Sequence, residues 1–264
     1  MSSNMSNYED AQHPRGADGR WVTKTAGAPA ASLPEPPAQK MNPRVVDAST
    51  LNTDRQAVYD AVDDVIDAEV AQTDSLVRET MKPGQRASLK VRGENLTINE
   101  IWDIRTGDVI TDTPRRIPVT AKALDSIASR QSMIGVLHKV EFDGPNREQA
   151  TQAVEQTRQA HAQASMRLID DALTAIDQHR NARKVELQTQ DGRTVGTVAV
   201  GGLIVHRADG GEERYGTASD EWDAFAHPIA DDLDPRALQA LPQDDNGRID
   251  MATWRSRRDR RAKE

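Results

Sequence analysis

The chain has 264 residues, of which 36% are apolar, 3% aromatic and 29% charged, and its net charge is −8. That negative balance excludes general binding to nucleic acid or to anionic membranes by the surface as a whole. The lack of cysteine excludes disulfides, thiolate nucleophiles and thiolate metal sites.

Residues 1–50 hold six of the thirteen prolines and read as a disordered arm and linker, with an Ala/Pro stretch from Ala26 to Pro37. No apolar signal-peptide core opens the sequence. The longest strongly apolar run, Val195 to Val205, is far short of the roughly 20 residues that span a bilayer. These features predict a cytoplasmic protein that does not use a membrane.

Within the arm, the island His13-Pro-Arg-Gly-Ala-Asp-Gly-Arg-Trp21-Val22 stands out. A tryptophan gains by burial, and Trp and Arg often carry binding energy. Arg15, Arg20 and Trp21 are therefore candidate partner-binding residues, with Trp21 as anchor. The alternative is that Trp21 folds back on the protein itself. The segment resembles the leader of many phage and mobile-element proteins, which open with H-P-R-x-x-x-G-[RQ]-[FW]. The resemblance covers about ten residues, is shared by proteins with different bodies and implies a genomic context; no catalytic residue carries over from it.

A second region, residues 51–143, starts with an amphipathic helix from Asp54 to Met81. Val58, Val62, Val65, Ile66, Leu76 and Val77 share one arc, and Asp60, Asp63, Asp64, Asp67 and Asp74 the other. Seven acids face a single base between residues 54 and 74. A solvated face explains this, and a hard cation or a basic partner are the sharper readings. Glu69 falls inside the apolar arc and needs a base, for which Arg158 is the candidate. After the Lys82-Pro83-Gly84 stop come strands at Ala87–Arg92 and Leu96–Ile104, a turn at Thr106–Asp108 into Val109-Ile110, and a loop holding Arg115-Arg116. A short helix capped by Thr120 then runs to Arg130, followed by a strand from Ile134 to Phe142. His138 lies on the apolar side of that strand with no acid in the local pattern, and reads as a half-buried, satisfied histidine.

Residues 144–230 are organised by a long helix. Asn146 is the N-cap, Gln149 completes a capping box, and no Gly or Pro follows up to Ala182. Ala162, Met166, Ile169, Leu173 and Ile176 form a seam on the second half. The first half, with Glu155, Arg158 and Gln159 on that face, is expected to project into water. The seam packs on the body of the protein or pairs with a second copy as a coiled-coil homodimer. A β-meander follows, with a two-residue hairpin at Asp191-Gly192 and a break at Gly201-Gly202. A short helix with Trp222 and Phe225 runs from Ala218 to Ala226.

Residues 231–264 read as short helices, one from Pro235 to Leu241, and a basic tail. The segment Asp244–Asp250 resembles the middle of an EF-hand calcium loop, but Pro242 and Thr253 stand where the first and last ligands belong, so a solvated acidic turn is expected. From 255 to 264 there are six bases and two acids. Arg255, Arg257, Arg258, Arg260 and Arg261 are candidate partner-binding residues, for an acidic protein, for the chain's own acidic helix, or for nucleic-acid phosphates.

The expected fold class is α+β, with long helices, small antiparallel sheets, a disordered N-terminal arm and a basic C-terminal tail. Walker, Rossmann, zincin and serine-hydrolase patterns are absent, and the six histidines are scattered. No cofactor is expected. The function read from this is a non-catalytic interaction or structural protein with a protein partner. The alternatives are a nucleic-acid-associated regulator acting through the basic tail and a metal-dependent enzyme using the acidic helix.

Overall fold

The computed structural model describes residues 46–111, 115–134, 137–216 and 231–261. The N-terminal arm with Arg15, Arg20 and Trp21, and the helix expected from Ala218 to Ala226, lie outside these residues.

The fold is α+β, and two long helices form its spine. Helix α1 spans Ala48–Arg78 and α3 spans Arg147–Arg180, each about 50 Å long. They run antiparallel: Val46 meets Gln178, Asp54 meets Arg167, Glu69 meets Arg158, Gln72 meets Thr151 and Glu79 meets Arg147. Helix α1 begins six residues before the expected start because Asp47 caps it, its carboxylate accepting a hydrogen bond from the Thr50 N–H at 2.8 Å. Helix α3 starts where its local sequence requires. Asn146 accepts from the Gln149 N–H at 2.9 Å, and the Gln149 side chain accepts from the Asn146 N–H at 3.0 Å. It ends at Asn181, a left-handed cap with φ 48° and ψ 52°.

The first half of α3 does not project into water. Ala150 and Val154 are buried, and the segment lies along α1. Its partner comes from about eighty residues earlier in the chain, so the α3 sequence taken by itself shows a polar face. The seam of the second half is spent inside the same chain: Ile169, Leu173 and Ile176 are buried in a core with Val46, Leu51 and Val58 of the α1 region.

Each half of the spine carries a sheet. The first joins β1 (Gln85–Arg92), β2 (Asn95–Asp103), β3 (Val109–Thr111), β4 (Arg115–Ile117) and β5 (His138–Glu141) in the order β3-β2-β1-β5, with β4 also on β2. Helix α2 (Ala121–Ile134) joins it through Ala123 and Ile127, and Val70 and Val77 of α1 complete the core. Arg115 and Arg116, expected in a loop, are exposed residues of β4, paired with Ile98 and Thr97. The strand expected from Ile134 is shorter. Ile134 still belongs to α2, and His138 lies beside Asp74 of α1 at 2.9 Å, an acid that the strand's own sequence could not reveal.

The second sheet has the order β8-β7-β6-β9, from β6 (Ala182–Asp191), β7 (Val198–Arg207), β8 (Glu212–Gly216) and β9 (Arg248–Asp250). The link between β6 and β7 is not a two-residue hairpin. It runs through residues 192–197, closed by Gly192 N–H to Thr197 O at 3.1 Å. Gly201-Gly202 does not break β7. The register shifts there, so that Gln188 pairs with Gly202 and Thr189 with Val200, leaving Gly201 as the extra residue of a bulge. A Cβ at Gly202 would lie 2.5 Å from Gln188 Oε1 and 3.1 Å from the Tyr215 carbonyl, so glycine keeps the three strands together.

Short helix α4 (Pro235–Gln239) and helix α5 (Met251–Arg261) close this half. Trp254 of α5 is fully buried, and its indole N–H donates to Asp170 Oδ1 at 2.8 Å. Among the described residues, no helix is long and apolar enough to cross a membrane.

Candidate interaction surfaces

Three groups of residues could carry function: the basic C-terminal helix, the polar residues buried along the spine, and the outer end of the first sheet.

The basic tail is helix α5, and its arginines divide by face. Arg255 pairs with Asp177 and donates to the Ala182 carbonyl at 2.8 Å; the Asp177 carboxylate raises the Arg255 pKa above its usual value. Arg258 lies over the Trp254 ring, 4.9 Å from its centroid. Arg257 and Arg260 are exposed and, among the described residues, reach main-chain carbonyls of Ala240 and Ser256, at 3.4 and 3.3 Å. Arg261 is the last residue of the helix. The described part of the tail therefore meets α3 through Arg255, not the acidic helix that the charge pattern offered as an internal partner. Trp254 explains this: its burial fixes which face of α5 turns inward.

Along the spine, a lone acid in an apolar arc finds the base expected for it. Glu69, with its side chain 1% exposed, accepts from Arg158 at 2.8 Å and from the Thr120 hydroxyl at 2.6 Å. It thus ties α1, α2 and α3. Further along, buried His161 makes a contact of 2.7 Å from Nε2 to the Asp232 carbonyl, and Nδ1 faces Asp234 Oδ2 at 3.7 Å. The carbonyl can only accept, so Nε2 carries the proton. Burial holds the His161 pKa below its ordinary value, against the opposing pull of that carbonyl and of Asp234. Asp234 caps α4 and pairs with Arg236, which holds its carboxyl below the usual range against the effect of burial. Ser165 accepts from the Asp234 N–H at 2.9 Å.

Ser165, His161 and Asp234 are the residue types of a hydrolase triad without its roles. The serine is fully buried and its oxygen engages a main-chain N–H, and the imidazole proton is given to a carbonyl. Asp232, a non-glycine residue at φ 56°, is held there by Thr194 N–H at 2.7 Å and Thr197 Oγ at 2.8 Å, both donating to its carboxylate. All these contacts join elements to one another, which is the work of structural ties.

On the acidic face of α1, Asp60, Asp63 and Asp64 are exposed and Asp67 pairs with Arg130. Partial burial and mutual repulsion raise the Asp63 and Asp64 pKa values. Among the described residues no three His, Asp or Glu side chains are grouped to hold a metal ion. The segment resembling a calcium loop is a tight turn into β9. Asp244 accepts from the N–H groups of Asn246 and Arg248 and from Lys184 at 2.6 Å, which holds its pKa down at about 2.

The third group was not read from the sequence. Four large apolar side chains are exposed among the described residues, and three of them gather at one place: Ile104 (52%), Val109 (53%) and Ile110 (49%). They sit where β2 turns into β3, an edge strand of three residues. Half-buried Trp102 lies beside them, in a cleft of about 250 Å³ lined also by Arg86, Asp103 and Lys139. The turn is fixed: Asp103 accepts through its side chain from the N–H groups of Arg105 and Thr106, at 2.8 and 3.2 Å, and the Ile104 N–H donates to the Gly84 carbonyl at 2.8 Å. Apolar side chains exposed close together at a sheet edge make a candidate interaction site. In the sequence Val109-Ile110 is a plain β pattern, because alternation says nothing about whether an edge strand is covered.

Compared with protein families, with curated proteins and with solved structures, the chain shows no match.

Proposed function

We propose that the chain is a non-catalytic interaction protein of phage or mobile-element origin that docks a protein partner through the apolar end of its first sheet. The observation that carries this is the exposure of Ile104, Val109 and Ile110, with half-buried Trp102, where β2 turns into the short edge strand β3. The origin is suggested by the leader around Trp21. The buried ionisable groups of the spine support a structural role for that part of the molecule, since their contacts join helix to helix and helix to loop.

The test is recovery of partners from an extract of the native host by the wild-type chain and by Ile104→Ser/Ile110→Ser. A partner retained by the wild type and lost at least tenfold from the variant supports the reading, and equal recovery overturns it. Light scattering of both proteins shows whether the partner is a second copy, the homodimer alternative.

A nucleic-acid reading keeps one observation in its favour, the exposed Arg257 and Arg260 on α5. Against it, Arg255 is committed to Asp177, and Arg115 and Arg116 belong to the other half of the fold. It requires affinity that falls steeply with salt. A flat response would remove it.

A further inference from the structure

Among the described residues, the second sheet has an uncovered strand edge. Strand β9 pairs with β6 only through Lys184, Val185 and Glu186. The chain before β9 turns away at Gly247, whose φ is +74°, so the side of β6 away from β7 has no backbone partner from Leu187 to Asp191 among the described residues. Five residues of open edge span about 17 Å. An uncovered edge of this kind is a template for another strand.

Beside this edge lies a groove of about 450 Å³ between the β6–β7 hairpin and α4. Leu187, Thr189 and Val198 form its sheet wall, with Leu238 and Ile249 below. An added strand would place alternate side chains into such a groove. Charge then selects the strand. Asp191 stands at one end of the edge, two residues beyond Thr189 on the same face, and Asp245 lies next to the lining residue Asn246 at the other. Both acids are exposed, and neither has an ion-pair partner among the described residues. Lys184 is already used by Asp244 and Arg248 by Glu186, and exposed Arg193 follows Asp191 by two residues in the link to β7.

We propose that the open edge of β6 binds an extended peptide of a partner protein by strand addition, the peptide carrying small apolar side chains flanked by basic residues. The geometry supplies each part: main-chain groups for pairing, a groove with Leu187, Val198, Leu238 and Ile249 among its polar lining residues for alternate side chains, and an exposed acid at each end. This site belongs to the second sheet and stands apart from the apolar end of the first, so either can fail without the other.

The test uses the full chain and two synthetic peptides, acetyl-Lys-Val-Thr-Val-Lys-amide and its acidic counterpart acetyl-Glu-Val-Thr-Val-Glu-amide. Hydrogen exchange of the Leu187–Asp191 amides and titration calorimetry are the readouts. The basic peptide is expected to bind, to slow exchange in that segment and to bind at least tenfold more weakly to Asp191→Lys/Asp245→Lys, two exposed substitutions outside the core. Binding is expected to be unchanged by Ile104→Ser/Ile110→Ser. Equal binding of the acidic peptide, no binding of the basic one at millimolar concentration, or unchanged exchange in the segment would each overturn the proposal. So would protection of these amides in the peptide-free protein, which would mean that the edge is already covered by the chain or by a second copy.

Discussion

His161 is a neutral imidazole in a buried place, and its folded-state pKa lies below the ordinary histidine value of 6.5. The unfolded chain therefore takes up a proton, as pH falls through that value, which the folded chain resists. Stability contributed by this residue is complete above pH 6.5 and declines on acidification toward the depressed folded value. Urea midpoints at pH 7.5 and 5.5 check this: the wild type should lose more stability between them than His161→Asn does. A second test at this scale concerns Glu69 and Arg158. The carboxylate is 1% exposed and the guanidinium side chain 42%, so the partners are not equivalent. Removing the cation in Arg158→Met leaves a buried charge with Thr120 as its remaining partner and should cost about 3 kcal/mol. Glu69→Gln returns a half-exposed arginine to water and should cost about 1 kcal/mol. Chemical denaturation of both variants and of the double variant measures the asymmetry and the coupling.

Among the elements, α5 shows how a charged sequence can hide a packing role. Trp254→Ala should cost about 3–5 kcal/mol and reduce the helical circular dichroism. Arg257→Ser/Arg260→Ser should stay within about 0.5 kcal/mol of wild type, because those side chains face water. Element positions were legible in the sequence wherever the signal was local. The Asn146/Gln149 box and the turn at Thr106–Asp108 mark real boundaries, whereas α1, expected to reach Met81, ends at Arg78 ahead of the Lys82-Pro83-Gly84 stop. Glu69 was legible as well, because an acid inside an apolar arc is a local contradiction that demands a remote answer. What the sequence hid is whatever depends on two segments meeting. The burial of Ala150 and Val154 needs α1, the acid beside His138 comes from α1, and the direction of Trp254 needs α3. The uncovered state of Val109 and Ile110 is hidden for the opposite reason, since no described segment arrives.

For the molecule as a whole, the two long helices matter more than either sheet. Helix α1 gives Leu51 and Val58 to one core and Val70 and Val77 to the other, so a single helix belongs to both. The two halves should then unfold together. Leu89→Ala, made in the first core, should lower stability by about 2–5 kcal/mol with one transition. Tryptophan fluorescence and far-UV circular dichroism, recorded on the same Leu89→Ala chain, should give coincident midpoints. Separate midpoints would show that the spine does not couple the halves.

The placement of Trp254 also bears on synthesis. The second core takes residues from Val46 and from Trp254 alike, so it stays open until the ribosome has delivered both. A copy that stops short of β9 would leave Val185 and its neighbours in water, where proteases and chaperones can find them. Arrival of Trp254 thus closes the core by packing itself, and products truncated before β9 should be degraded faster than the chain that contains it, as pulse-chase labelling would measure.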